Sequence, residues 1–281
     1  MIVVTGATGN VGQHVVRLLS RQGEDVVAVS RRPRIEGLGA GARHVRADVG
    51  DAASMRPALT GADALFLLIG GELNSHGEPP AAVIDAAVQS GVKRIVLQSS
   101  QVSATRPDVD SHARLREFEA AVRASGVDVT ILRPSGFASN AFGWAESVRT
   151  ARTVFAPFGD VGLPVVDPAD IAAVAATALT QAGHAERVYD VTGPHLITPR
   201  EQAAVIADVV GVDITFVELT REQARAHLAQ VMPEAVIDGT LDVLGLPLPT
   251  ERRVSPDVAS VLGHPARPFA EWVTRNRLAF A

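Results

Sequence analysis

The chain has 281 residues, 47% of them hydrophobic and 20% charged, with a formal net charge of −5 from 26 Lys+Arg against 31 Asp+Glu. That length and apolar content allow one large domain, or a domain with a smaller lobe. The interspersed charges argue against a nucleic-acid partner or a polybasic membrane surface, and the absence of cysteine excludes disulfides and thiolate chemistry.

The first strand and turn read Ile2-Val3-Val4-Thr5-Gly6-Ala7-Thr8-Gly9-Asn10-Val11-Gly12. An apolar run stops at glycines, and Val11, Val15, Val16, Leu18 and Leu19 then continue at helical spacing. A strand thus feeds a tight turn and a helix N-terminus, where unpaired N–H groups and the positive helix end suit a pyrophosphate. Gly6 permits the turn, Gly9 the approach of phosphate, and Gly12 close packing of helix on strand. The strand begins at once, so no leader peptide is expected. No apolar run approaches ~20 residues, so no membrane span is expected either. A cytoplasmic protein follows, expected as a monomer or homodimer.

Further strands are predicted over Val26–Val29, His44–Ala47, Ala64–Ile69, Ile95–Leu97 and Val127–Leu132, with helices over Val11–Arg21, Ala52–Leu59, Pro80–Ser90 and Ser111–Ser125. Continuous apolar strands alternating with helices predict an α/β fold, a Rossmann-type doubly wound parallel sheet covered on both faces. After Pro134 the rhythm changes, and Ser135 to Pro168 reads as loops around a short helix. A strong helix follows over Ile171–Leu179, opened by Asp167-Pro168-Ala169-Asp170. Then come a strand over Val188–Val191 and a helix whose Thr198 and Glu201 fit a capping box. Ile214–Glu218 is a strand, and Thr220–Val231, Glu234–Leu244 and Phe269–Phe280 are helices. The predicted division is a cofactor-binding core over 1–152 and a small C-terminal substrate lobe over 153–281, with 168–192 returning to the core.

A carboxylate that binds a ribose 2′-hydroxyl should close the second strand, about 20 residues past the glycines. The chain instead has Arg31 and Arg32 there. A guanidinium fork matches a 2′-phosphate, so NADP(H) is the expected cofactor. Fold geometry assigns Asp48 and Val49, ending the third strand, to the adenine, and Leu68, Ile69 and Gly70, ending the fourth, to the ribose. His76 lies in the loop after the fourth strand, where it can cover the site. No His/carboxylate cluster has metal spacing, so no metal is expected.

Together these segments resemble the atypical branch of the short-chain dehydrogenase/reductase superfamily, and within it the NmrA-like proteins with their quinone oxidoreductase and azoreductase relatives. The resemblance covers nearly the whole chain. It rests on the Thr5–Gly12 turn, Gly91–Ser100, Ser125–Pro134 with Phe137 and Asn140, Asp167–Ala172, and Val191-Thr192-Gly193-Pro194. It implies that Ser99 and Ser100 face the nicotinamide and that Pro134 and Phe137 pack over it. The superfamily's enzymes usually carry Tyr-x-x-x-Lys on the next helix. Here Tyr189 is the only tyrosine and Lys93 the only lysine, far apart, so no such pair exists. The matching positions are His112 and Arg116, which share a helix face. The resemblance makes His112 a candidate general acid and Arg116 a candidate holder of the ribose or of a developing oxyanion, with Ser99 bonding the same oxygen.

Weak acid catalysis suits an acceptor that needs little of it. The expected function is therefore NADPH-dependent hydride transfer to a quinone or an aromatic, polyketide-like ketone. Two alternatives stay open: a non-catalytic NADP(H)-binding redox sensor of NmrA type, and an isomerase or lyase that uses the nucleotide transiently. Phe137, Phe142, Trp144, Phe155 and Phe158 crowd the stretch after Pro134 in a chain only 4% aromatic. They either wall a pocket for a flat, small aromatic substrate or form the lobe's own core. Met232 and Trp272 are expected in the core.

Overall fold

Runs of aliphatic and β-branched residues become short strands buried on both faces, and amphipathic segments between them become the covering helices. The computed structural model describes residues 1–34, 38, 41–69 and 77–281. The first half comprises β1 (Ile2–Val4), α1 (Gly12–Arg21), β2 (Val26–Ser30), β3 (Ala42–Arg46), α2 (Ala52–Leu59), β4 (Ala64–Leu68), α3 (Pro80–Gln89), β5 (Arg94–Gln98), α4 (Val102–Thr105), α5 (Ala113–Arg123) and β6 (Asp128–Pro134). The second comprises α6 (Ala145–Ala151), β7 (Thr153–Pro157), α7 (Pro168–Thr180), β8 (Arg187–Val191), α8 (Pro199–Val210), β9 (Thr215–Leu219), α9 (Arg221–Leu228), α10 (Glu234–Gly245), α11 (Asp257–Leu262) and α12 (Phe269–Asn276). Gly70 and His76 lie outside the described residues.

Seven strands form one parallel sheet in the order β3-β2-β1-β4-β5-β6-β8. The order reverses between β1 and β4, which is where a doubly wound sheet opens a crevice at its carboxyl edge. Alternation divides each strand between two cores. Val4, Val96 and Leu132 pack with Val15, Ile171 and Val174 beneath α1 and α7. Val3, Ile95, Leu97 and Ile131 pack with Leu115, Phe118 and Val122 of α5 on the other face.

Two features depart from the sequence expectation. Thr153–Pro157 is a strand, paired in parallel with β9 in a separate two-stranded sheet. His112 ends a 3-10 turn, Asp110–His112, that precedes α5 instead of lying in the helix body. The Asp167-Pro168-Ala169-Asp170 sequence opens α7 as expected: Asp167 accepts from the Ala169 N–H at 2.9 Å, and Pro168 sits in the first turn. Both aspartates are buried, and each receives an arginine from the end of the chain, Arg275 on Asp167 and Arg267 on Asp170. These pairs fasten α12 and the lobe to the sheet's α1/α7 face. The Thr198/Glu201 capping box forms at the start of α8.

Candidate active site

The phosphate turn sits at the switch point, and hydrogen bonds across the carboxyl ends of β1 and β4 hold it there. Buried Thr5 donates its N–H to the Phe66 carbonyl (3.0 Å), and its hydroxyl accepts from the Leu68 N–H (2.8 Å). Gly6 has φ +61°, and the Gly9 N–H closes the turn on the Gly6 carbonyl at 2.9 Å. A Cβ on Gly12 would lie 2.2 Å from that carbonyl oxygen, and one on Gly9 3.2 Å from it. Glycine at position 12 is thus a packing requirement. No side chain caps α1, and its first turn has no acidic residue. A diphosphate fits this cradle: the Gln13, His14 and Val15 N–H groups bond to backbone carbonyls, but those of Asn10, Val11 and Gly12 have no partner among the described residues, and α1's first turn has no carboxylate to oppose an anion. Thr8 is half-buried beside them, and Val11 is buried.

At the end of β2, Arg31 and Arg32 are exposed at the sheet's carboxyl edge. The Arg31 carbonyl accepts from Arg46 Nε (3.2 Å), so a third guanidinium joins this corner. Arg46 ends β3 in register with Ser30; only strand pairing reveals it. Asp48 uses Oδ1 to accept from the Gly50 N–H (2.9 Å) and so shapes its own loop. Val49 and Ile69 are buried, and Leu68 packs on the turn, 3.1 Å from where a Gly6 Cβ would stand.

The nicotinamide end differs from expectation at the serines. Ser99 faces α5 because it follows Ile95 and Leu97 on the same side of β5. Its hydroxyl donates to Glu119 Oε1 at 2.6 Å. Glu119 is buried and also accepts from Arg133 Nε (3.0 Å), Arg133 Nη2 (2.6 Å) and Arg123 Nη2 (3.0 Å). Burial alone would raise the Glu119 pKa. The hydrogen bonds from Arg133 and Ser99, with the Arg133 charge, instead hold it below the ordinary value. The Ser99 proton is therefore engaged in a network joining β5, α5 and β6, and is not free to bond a substrate oxygen. The Ser100 Oγ accepts from the Val102 N–H at 3.2 Å, which leaves its own proton available. Opposite Ser99, Gln98 Oε1 is buried without a hydrogen-bond partner among the described residues.

On α5, Glu119 is taken by Arg133 and Arg123. Arg116 donates Nη2 to the Val109 carbonyl at 2.9 Å, while Nη1 is buried and has no partner among the described residues. His112 shares its Nδ1 with Ser111 Oγ at 3.0 Å. Burial, then the Arg116 charge, push its pKa down, so the imidazole is neutral at neutral pH. The only tyrosine is far away on β8, bonded to His184 Nδ1 (2.8 Å). Lys93 precedes β5 at the opposite edge of the sheet. Pro134 ends β6, and half-buried Phe137 packs against the α1/α7 core.

The NAD(P)H-binding family profile matches residues 6–182. A (4-alkanoyl-5-oxo-2,5-dihydrofuran-3-yl)methyl phosphate reductase from Streptomyces griseus is 39% identical, over 100% of this chain and 99% of the relative. An NAD(P)H azoreductase from Xenophilus azovorans is 32% identical over 100% and 99%. The crystal structure of an NADPH-dependent quinone oxidoreductase from Escherichia coli, complexed with NADPH, superposes with a TM-score of 0.83 at 29% identity, covering 98% of this chain and 99% of that one. The chain belongs to the NmrA-like, atypical short-chain dehydrogenase/reductase family. It is an NAD(P)H-dependent oxidoreductase of that family.

Its positions matching the superfamily's tyrosine and lysine hold the neutral His112 and the charged Arg116. The aromatic residues after Pro134 serve mainly the lobe. Phe142 packs edge-on to Trp272 with centroids 4.8 Å apart, and Trp272 also meets Phe269 and Phe280. Trp144 borders this cluster. Phe158 lies against Gly245 and packs with Leu219, Met232, Ile237 and Leu241. Phe155 is exposed on the two-stranded sheet.

Proposed function

We propose that this chain transfers hydride from NADPH to an electron-poor conjugated acceptor, a quinone or an aromatic ketone whose reduced form delocalises its own negative charge. One observation carries the reading: neutral His112 stands beside an Arg116 whose buried Nη1 has no partner among the described residues. A neutral imidazole is a weak acid, and a guanidinium does not release its proton at ordinary pH. What the pair offers is fixed positive charge and an N–H donor, which stabilise an oxyanion as it develops. An acceptor that becomes a phenolate or enolate needs that charge more than it needs a proton.

The relatives' names support this direction, since oxo-dihydrofuran, azo and quinone groups all hold a π bond conjugated to an electronegative atom. The bound nicotinamide supplies the hydride. The Gly6–Gly12 turn holds the diphosphate. Arg31 and Arg32, with Arg46 beside them, favour the 2′-phosphate of NADPH over the bare ribose of NADH. Asp48 and Val49 border the adenine, and Leu68, Ile69 and Gly70 the ribose. Arg116 holds the nicotinamide ribose or the substrate oxygen, and Pro134 and Phe137 back the ring.

The test is NADPH oxidation with a panel of quinones, azo dyes, alkanoyl-butenolides and unconjugated ketones. Turnover is expected with the conjugated acceptors and not with the last group. Comparable turnover of unconjugated ketones overturns the reading. Tight NADPH binding without oxidation by any acceptor replaces it with the sensor.

A further inference from the structure

Beside the phosphate turn, on the α1/α7 face, lies a groove of about 460 Å³. One wall is a helical stripe of α1, with Gln13, His14 and Arg17 following Asn10 at i+3, i+4 and i+7. The other wall comes from α12, through Trp272, Arg275 and Asn276, with Phe142 beside them. At the groove's edge the Asn10 side-chain amide donates to Ser139 Oγ at 3.1 Å.

The groove has an excess of donors. Its only carboxylate among the described residues, Asp167, is buried, and both oxygens are occupied, one by the Ala169 N–H and one by Arg275. Arg17 is exposed and has no hydrogen bond or ion pair among the described residues. His14 is half-buried beside it, kept neutral by burial and by the Arg17 charge. Phe142 is 38% exposed, an unusual share for an aromatic ring that also packs on Trp272. The unmet needs are therefore one negative charge, acceptor atoms and a flat apolar surface.

We propose that this groove is a second ligand site, separate from the cofactor cleft, that takes a flat aromatic carboxylate. Arg17 pairs with the carboxylate, His14 and Gln13 donate to it, and the ring lies against Phe142 and Trp272. This inference does not depend on the identity of the hydride acceptor.

The chain has two tryptophans, Trp144 and Trp272. Protein with isotope-labelled tryptophan therefore gives two indole N–H resonances, assigned with Trp144→Phe. Titration with 2-naphthoate is expected to shift the Trp272 signal saturably, with NADPH-saturated protein responding in the same way. The neutral amide, 2-naphthamide, should bind about tenfold more weakly or not at all, and Arg17→Gln should weaken 2-naphthoate binding by about tenfold. Arg17 is exposed, so this variant folds, and circular dichroism checks that it does. The proposal fails if 2-naphthoate is displaced by NADPH, if the amide binds equally well, if Arg17→Gln is without effect, or if Trp272 does not respond.

Discussion

Arg116 carries two separable roles, and substitution can separate them. Nη2 ties α5 to the Val109 carbonyl at 2.9 Å, while on the proposed reading buried Nη1, without a partner among the described residues, is the donor left for the cofactor ribose or the substrate oxygen. Arg116→Gln removes the charge. Losing a charged hydrogen bond to a partly exposed carbonyl costs about 1–2 kcal/mol of stability, and urea denaturation reads that loss. Losing one oxyanion donor costs about 2.7–4 kcal/mol in the barrier, or about 10²–10³ in kcat. Arg116→Lys restores the charge without the fork. Its single ammonium cannot span both partners, so kcat should recover to within about tenfold of wild type while NADPH affinity falls. The assay is steady-state NADPH oxidation with a quinone, paired with a direct NADPH binding titration. The reasoning is refuted if Arg116→Gln keeps kcat within about threefold of wild type, or if Lys is no better than Gln.

Three further outcomes follow from the same geometry. Replacing Arg31 and Arg32 with Ala should raise the NADPH Kd by about tenfold or more and leave NADH unchanged, because charge-assisted phosphate bonds are lost; equal affinities for both nucleotides in the wild type would contradict this. Ser99→Ala should lower stability by about 1–3 kcal/mol by removing a donor from buried Glu119, with kcat nearly unchanged; a large fall in kcat at intact stability would return Ser99 to the chemistry. The Glu119 pKa is lowered in the folded state, so its contribution is complete above the unfolded glutamate value and is lost as pH falls through the folded one. Stability should thus decline below about pH 4.3, the ordinary glutamate value. Glu119→Gln should flatten that decline while costing about 3–5 kcal/mol at neutral pH, because Arg133 loses its buried counter-charge. A denaturation series across acid pH on both proteins checks this, and identical pH profiles would count against it.

The alternating half of the fold was legible because local signals agreed: apolar runs, the glycine turn, and helices such as Ala52–Leu59 with no competing pattern. β7 was not legible. Thr153–Pro157 is short, ends in proline and pairs with Thr215–Leu219, a partner distant in sequence. The site was legible in type more than in detail. The glycines, Arg31 and Arg32 could be read from spacing, whereas Arg46 depends on the β2–β3 register. Ser99 and Gln98 illustrate the limit more sharply. Strand alternation says that they face opposite ways, but only the topology says which of them meets α5. The Asp167–Arg275 and Asp170–Arg267 pairs explain two aspartates that sequence reasoning treated as helix-start signals.

The engaged serine and the half-buried charge are two consequences of one arrangement. Glu119 gathers Ser99, Arg123 and Arg133, and so fixes α5 against the carboxyl ends of β5 and β6. Arg116 lies one turn earlier on that helix, with one nitrogen anchored and one without a partner among the described residues. A fixed charge lowers a barrier most when it need not reorganise as the reaction proceeds. A site built this way discriminates by where negative charge gathers in the acceptor, not by the acceptor's demand for a proton. Under the proposed reading, adding an acid at position 112 should widen the range of ketones reduced, and should bring little gain with quinones.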